Sequence, residues 1–183
     1  MTFTYDTSET WTIEYEAQSD ADTLFNPMNH VYFNLNRDSN VVDNHVIASD
    51  RLAMYPLDET GMPRLTPIDL VEEMGSNQIQ LAQLFNTTKE SIQQQVNAKR
   101  GLDHPFEVAE GQLSISNDDL ALHVSTDAPQ VVLYTLNDSE NWKSHMNIFK
   151  PHSGITVETQ SLPNDIQLLG PKAYSILKAN TPF

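Results

Sequence analysis

Residues 26–35, NPMNHVYFNL, concentrate side chains that could move protons and bind hydroxyl groups. Pro27 restricts its own φ and pushes the preceding residue out of the helical region, so a turn leads into a strand-like run. Alternate side chains along a strand share a face, which places His30, Tyr32 and Asn34 together. An imidazole between an amide and a phenol suits proton transfer to a polyhydroxyl ligand. The alternative interpretation is a hydrogen-bonded structural histidine beside an aromatic ring.

Two carboxylates later in the chain could complete such a site. Glu158 lies near the end of a β-branched run at residues 155–159, before polar Gln160, where a carboxylate can reach a cleft. Asp103 follows the glycine at position 101, and an ionised carboxylate accepts strong hydrogen bonds from hydroxyl groups. The alternatives are a surface carboxylate on a strand for Glu158 and a turn-capping aspartate for Asp103.

Short strands separated by turn residues must position these side chains. Alternating or β-branched runs predict strands at residues 3–5, 11–17, 46–47, 52–55, 113–116, 120–125, 131–136 and 155–159. This spacing is typical of an all-β sandwich or barrel-like sheet. Residues 56–67, which carry Pro and Gly, predict an irregular connection. Residues 70–99 predict one or two short helical turns inside a long loop, with a solvated surface at residues 93–95.

Composition narrows the class of protein. The chain of 183 residues, 39% of them hydrophobic, fits a folded protein, and without a linker or repeat it predicts a single β domain over residues 1–183. A net charge of −15 repels phosphate groups, so nucleic acid and anionic membranes are poor partners. No stretch approaches the roughly 20 apolar residues that span a bilayer. With no basic, apolar leader at the N-terminus, the expected location is cytoplasmic.

Several kinds of reactive site do not fit the sequence. The absence of cysteine excludes disulfides, thiolate metal sites and cysteine nucleophiles. His45, His123, His145 and His152 lack metal-ligand spacing, so no metal site is predicted and all four are interpreted as surface or structural residues. There is no G-x-S-x-G elbow and no Walker or Rossmann glycine pattern.

Three motifs together resemble one family. Residues 26–35 resemble the signature N-x-T-N-H-x-Y-F-N-L of the aldose 1-epimerase (galactose mutarotase) family, with Met28 where the family usually has Thr. Residues 101–106, GLDHPF, resemble its G-x-D-H-P-F segment, and residues 158–163, ETQSLP, resemble its E-T-Q-x-x-P segment. The motifs occur in the family's order and the resemblance covers nearly the whole chain.

The resemblance implies a fold and a partial site. The expected fold is mainly antiparallel β, a sandwich resembling the later part of the galactose mutarotase β-supersandwich. Family members carry a further N-terminal half that supplies another His and an Arg to the sugar site. This chain is therefore expected to be a C-terminal fragment of such a protein, with weak sugar binding and slow turnover by itself.

The resemblance also implies a reaction, the interconversion of the α and β anomers of a free hexose such as galactose or glucose. In the family's pattern Glu158 is the catalytic base, His30 the general acid, and Asp103 a ligand of sugar hydroxyls. His104 is expected to be a structural hydrogen-bond partner. Ring opening by acid and base needs no metal and no cofactor. The expected partner is a hexose, and the oligomeric state is not predicted.

Two other functions stay open. The chain could be a non-catalytic sugar-binding β-sandwich, in which His30 and Asp103 hold a ligand. It could also be a hexose-6-phosphate 1-epimerase, which the acidic charge and the lack of a basic cluster disfavour. Polarimetry on freshly dissolved α-glucose or α-galactose distinguishes a non-catalytic sugar-binding protein from a mutarotase. Competition by sugar phosphates tests for a hexose-6-phosphate 1-epimerase.

Overall fold

The computed structural model describes residues 1–138 and 149–180. In chain order the strands are β1 (Thr2–Tyr5), β2 (Trp11–Glu14), β3 (Thr23–Leu24), β4 (Tyr32–Phe33), β5 (Val46–Ala48), β6 (Leu52–Met54), β7 (Ile68–Asp69), β8 (Gln78–Gln80), β9 (Asp103–Val108), β10 (Gln112–Ser116), β11 (Ala121–Ser125), β12 (Gln130–Tyr134), β13 (Ile155–Gln160) and β14 (Ile176–Leu177). The α-helices are α1 (Leu70–Met74), α2 (Leu81–Phe85), α3 (Glu90–Lys99) and α4 (Asp165–Leu169). The predicted mainly antiparallel β fold is confirmed.

The chain forms two compact units. The smaller consists of Met1–Pro27 together with the chain from Asn164 onwards, and it contains the β1–β2 hairpin and the antiparallel pair of β3 and β14. The larger unit is Met28–Pro163, which contains all three motifs apart from the first two residues of NPMNHVYFNL. The single-domain interpretation stays a prediction, because two compact units can be parts of one domain.

Two antiparallel sheets build the larger unit. One has six strands in the order β4-β13-β12-β9-β6-β7, and the other has four in the order β11-β10-β5-β8. A single hydrophobic cluster contains buried residues of both sheets and of helices α1, α2 and α3. The two sheets therefore share one core, as in a β-sandwich.

The middle strands of the six-stranded sheet alternate between two kinds of side chain. On β12, Val131 and Leu133 are buried in the core, whereas their neighbours Val132 and Tyr134 are only partly buried. The alternation follows from strand geometry, since successive side chains point to opposite faces. One face of this sheet is thus apolar and packs into the core, and the other is free to carry polar groups.

Residues 70–99 are more regular than the sequence predicts. Three helices and strand β8 occupy a stretch predicted to be a loop with one or two helical turns. Leu70, Leu84 and Ile92 are buried in the core, and such burial stabilises helices that are too short to form alone. Helix α1 is also capped at both ends, because the Asp69 side chain accepts the Val71 N–H and Gly75 adopts a left-handed conformation. In the part of the chain described here, no helix has both the length and the apolar character to cross a membrane.

Candidate active site

A row of four side chains crosses the six-stranded sheet. Tyr32 pairs with Thr156, Thr156 with Tyr134, and Tyr134 with Asp103, so β4, β13, β12 and β9 each place one residue in the row. Residues directly opposite one another in a sheet project from the same face. The register therefore gathers two phenols, a hydroxyl and a carboxylate on the face that does not pack into the core.

His30 and Glu158 stand in the next row of the same face. Glu158 lies two residues after Thr156 on β13, so strand alternation gives both side chains the same direction, and His30, which precedes β4, reaches this face through its contact with Glu158. His30 Nε2 lies 3.2 Å from Glu158 Oε1. The imidazole is 42% exposed and the carboxylate side chain only 6% exposed. An accessible acid or base thus contacts a nearly buried carboxylate.

Glu158 is held by its own strand. Thr156 Oγ1 donates a hydrogen bond to Glu158 Oε1 at 2.7 Å, and Gln160 Nε2 donates to Oε2 at 3.3 Å. Residues two apart on a strand share a face, so Thr156, Glu158 and Gln160 all lie on the pocket face of β13. A buried carboxylate needs such donors, because burying an unpaired charge is costly.

Two tyrosine rings, those of Tyr32 and Tyr134, lie beside the contact between His30 and Glu158. The His30 ring centroid lies 5.1 Å from that of Tyr32 and 6.0 Å from that of Tyr134, and the two tyrosine rings are 6.2 Å apart. Burial, with a contribution from the nearby Tyr134 and Glu158, raises the pKa of Tyr32 to about 12. Burial also raises the pKa of Tyr134. Both phenols therefore stay protonated at neutral pH and can donate hydrogen bonds.

Asp103 is the first residue of β9, and its side chain lines the same pocket. Its Oδ2 accepts from Lys99 Nζ at 3.0 Å, an ion pair that links the strand to the end of α3. The Asp103 side chain is 42% exposed. This carboxylate is therefore open to a ligand and has one fixed cation beside it, unlike the nearly buried Glu158.

Close packing explains why a glycine occupies the first position of GLDHPF. Gly101 adopts φ +146°, and a Cβ there would lie 2.2 Å from Asn137 Oδ1 and 2.5 Å from Thr135 Oγ1. Those two side chains hold Leu102, since Thr135 Oγ1 accepts the Leu102 N–H at 2.9 Å and Asn137 Nδ2 donates to its carbonyl at 2.8 Å. The close approach fixes the backbone immediately before Asp103.

His104 lies on the opposite face from Asp103 and is fully buried. Its Nδ1 accepts the Asp103 N–H at 3.1 Å, so Nε2 carries the proton and donates to Gln95 Oε1 at 3.2 Å. Burial, with a smaller contribution from Lys99, lowers the pKa of His104 to about 4. The ring is therefore neutral near pH 7, and its two hydrogen bonds give it the structural role expected from the sequence. Gln95 departs from the predicted solvated surface, because its Oε1 also accepts the Leu57 N–H at 2.7 Å.

Not every polar residue of NPMNHVYFNL reaches the site. Asn34 Nδ2 donates to the carbonyls of Ser39 and Ser153, each at 3.2 Å. The Leu35 N–H donates to Nε2 of buried His45 at 2.9 Å. These contacts anchor the C-terminal end of the motif, while His30 and Tyr32 face the pocket. Only Tyr32 and Phe33 form a strand, a shorter one than the sequence suggests.

The predicted site residues come together around one open pocket of about 640 Å³. Its lining residues are Met28, His30, Tyr32, Asp103, Tyr134, Asp138 and Glu158. The structure thus places His30, Asp103 and Glu158 at one site, and their chemical roles remain predictions. Sequence reasoning missed Tyr134 and Thr156, which look like ordinary strand residues until the register aligns them with Tyr32.

Three other histidines, His45, His123 and His152, do not line this pocket. His45 is buried, and His152 Nδ1 lies 3.0 Å from Asp43 Oδ1 while its ring packs 4.2 Å from that of Phe85. His123 is exposed on β11, and His145 lies outside the described residues. Within residues 1–138 and 149–180, no group of three or more His, Asp or Glu residues is arranged to hold a metal ion.

Comparison with known proteins identifies relatives of this chain. A family model described as aldose 1-epimerase matches residues 1–180. Aldose 1-epimerase of Haemophilus influenzae is 28% identical over 173 residues, which cover 90% of this chain and 50% of that protein. Galactose mutarotase of Sus scrofa is 26% identical over 176 residues, which cover 91% of this chain and 49% of that protein.

Solved structures give the same result. The crystal structure of galactose 1-epimerase from Lactobacillus acidophilus NCFM is similar with a TM-score of 0.71 at 28% identity, covering 92% of this chain and 48% of that one. An aldose epimerase homologue from C. elegans has a TM-score of 0.68 at 16% identity, covering 92% of this chain and 51% of that one, a likeness of fold alone. The chain spans about half the length of the relatives it matches.

Proposed function

The chain belongs to the aldose 1-epimerase family, and from that premise we propose that the protein interconverts the α and β anomers of a free hexose such as galactose or glucose. The observation that carries the proposal is the 3.2 Å contact between His30 Nε2 and Glu158 Oε1 at an open pocket. Mutarotation needs an acid and a base that act on two oxygens bonded to the same carbon. Neighbouring acid and base groups fit that requirement.

Glu158 acts as the base and His30 as the acid. The Glu158 carboxylate takes the proton of the anomeric hydroxyl, and the electron pair of that O–H bond forms the carbonyl group. The bond between the anomeric carbon and the ring oxygen breaks, and the ring oxygen takes a proton from His30 Nε2. The aldehyde end rotates. As the ring closes on the other face, His30 takes its proton back from the hydroxyl that becomes the ring oxygen, and Glu158 returns its proton to the carbonyl oxygen.

Asp103 and the two tyrosines bind the rest of the sugar. The exposed carboxylate of Asp103 accepts hydrogen bonds from sugar hydroxyls, and hydrogen bonds to a charged acceptor are the stronger kind. Tyr32 and Tyr134 offer both a protonated phenol and an aromatic ring beside the acid–base pair. A hexose has many hydroxyls and apolar C–H faces, which match this mixture.

The charges around the pocket favour a neutral sugar over a sugar phosphate. Three carboxylates, those of Asp103, Asp138 and Glu158, are among the described residues that line it, and no Lys or Arg is. Lys99 is paired with Asp103 and Arg100 with Asp138, so each cation already has an anion. A phosphate would have to displace these carboxylates or lie close to them at a Coulombic cost.

Polarimetry tests the proposal. We expect the purified 183-residue chain to speed the change in optical rotation of freshly dissolved α-glucose or α-galactose above the rate in buffer alone. His30→Ala should remove the acceleration, whereas His123→Ala, at an exposed position on the other sheet, should keep it. A rate equal to that of buffer, with hexose binding still detectable by NMR, would instead favour the non-catalytic sugar-binding module.

A further inference from the structure

Thr156 is a fully buried hydroxyl at the centre of the site. It lies directly opposite Tyr32 on one neighbouring strand and Tyr134 on the other, and its exposed fraction is zero. A buried hydroxyl without a hydrogen-bond partner is unfavourable. Thr156 Oγ1 meets this need by donating to Glu158 Oε1 at 2.7 Å, a direction fixed by chemistry because an ionised carboxylate can only accept.

This bond makes the two oxygens of Glu158 unequal. Oε1 accepts from Thr156 and also lies 3.2 Å from His30 Nε2. Oε2 accepts from Gln160 Nε2 at 3.3 Å, which is long for a hydrogen bond to a carboxylate. The carboxylate is thus clamped at Oε1 and more weakly held at Oε2.

We propose that Thr156 is a positioning residue that fixes Glu158 Oε1 toward His30 and leaves Oε2 as the oxygen that accepts the substrate proton. The inference rests on the proposed function for its catalytic consequence, but the clamp itself is a property of the resting protein. Without the hydroxyl, the carboxylate can rotate about its terminal bond and lose its alignment with the imidazole.

Kinetics of three variants test the catalytic consequence. Thr156→Val keeps the shape of the side chain and removes the hydroxyl, so kcat should fall by roughly 10- to 100-fold, the range for losing a hydrogen bond to a charged group. KM should change little, because Thr156 is buried and does not contact the sugar. Thr156→Ser should restore most of kcat. Thr159→Val, the same change on the core face of the same strand, should leave kcat unchanged.

An NMR measurement tests the clamp without any turnover. In protein labelled with ¹³C at glutamate and histidine, Thr156→Val should move the Glu158 carboxyl and His30 ring signals, while Thr156→Ser and Thr159→Val should leave both in place. The methyl region of the same spectra reports folding, and Thr156→Ala serves as a second hydroxyl-free variant if the valine variant does not fold.

The two measurements separate the two proposals. Unmoved Glu158 and His30 signals in a folded hydroxyl-free variant would overturn the positioning role, as would a Thr156→Ser variant that behaves like Thr156→Val. If the signals move as expected while the parent chain shows no mutarotation above buffer, the proposed function fails and the clamp stands.

Discussion

The two faces of the six-stranded sheet are made by the same strands and have opposite chemistry. On β13, Ile155 and Val157 belong to the hydrophobic cluster, and Thr156 and Glu158 lie on the pocket face. Burial of apolar side chains on the core face stabilises the folded state, and this stabilisation increases with the apolar area removed from water. The pocket face must instead compensate each buried polar group with a hydrogen bond. Alternate residues of one strand thus contribute to stability and to the chemistry of the pocket.

Two histidines show the same difference. His104 is buried on the core side with both ring nitrogens occupied, and its pKa is lowered to about 4. His30 is 42% exposed beside a carboxylate. An imidazole that cannot be protonated near neutral pH serves structure, and one that faces solvent and a carboxylate can transfer protons.

The largest expected effect is on the core face. Leu133→Ala removes a fully buried side chain from β12, and such cavities lower the free energy of unfolding by about 2–5 kcal/mol. Val132→Ala, the adjacent residue on the pocket face, should cost much less because Val132 is only partly buried. Urea denaturation of both variants measures the difference. Equal losses would contradict the assignment of the two faces.

The next largest expected effect is a dependence of the free energy of unfolding on pH, which arises from His104. Its folded pKa of about 4 lies below the unfolded value of about 6.5, so between these values the unfolded chain binds more protons. The free energy of unfolding should therefore fall as the pH drops from 6.5 to 4, by about 3 kcal/mol from this group, and its contribution should be constant above pH 6.5.

Urea denaturation at pH 7 and at pH 4 measures this dependence. His104→Gln should show a smaller loss of stability on acidification than the parent chain. His123→Gln, on exposed β11, should retain the parental loss, since both variants keep the same carboxylates. An unchanged pH dependence in His104→Gln would show that His104 is protonated in the folded state.

The difference between the two faces of the sheet also determines what the sequence can predict. Alternation of apolar and polar residues predicts most strands and the all-β class, because it directly reflects one buried face. The motifs predict His30, Asp103 and Glu158 as site residues. Tyr134 and Thr156 were not predictable, since their place depends on the register between strands that are distant in sequence.

The short helices and strand β9 show what the local sequence pattern does not predict. Asn77 and Thr87 interrupt any long helical pattern, and they do fall between the helices. The short helices form because Leu81 and Val96 reach a core that only the folded chain creates. The sequence of β9 matches a motif but does not predict a strand, since it contains Pro105 and proline is unusual inside a sheet.

On the pocket face, the largest expected effect is on turnover. Glu158→Gln keeps the shape and the hydrogen-bonding capacity but removes the base, so kcat should fall by at least about 100-fold with a modest change in KM. Glu107→Gln is a matched control on the same face, at a carboxylate that contacts Tyr55 and Arg51. Coupled oxidation of the β-anomer measures both variants. A similar fall in the control would point to a general charge effect.

The smallest expected effect is on sugar binding at Asp103. Asp103→Ala removes an exposed carboxylate whose hydrogen bonds to hydroxyls form in the ground state as well as in the transition state, so KM should rise by about tenfold with kcat nearly unchanged. Asp119→Ala, at an exposed carboxylate in the turn between β10 and β11, should leave both constants unchanged.

The assignment of Glu158 as the base and Asp103 as a sugar ligand can be tested directly. Both carboxylates line the pocket, and their environments differ: Asp103 is paired with Lys99, whereas Glu158 contacts His30 and Thr156. Steady-state kinetics of Asp103→Ala and Glu158→Gln therefore decide which one is the base. If Glu158→Gln retains near-parental kcat while Asp103→Ala abolishes it, Asp103 takes the proton and Glu158 only holds the imidazole. The opposite pattern supports Glu158 as the base, because a ligand-binding carboxylate affects KM and a proton acceptor affects kcat.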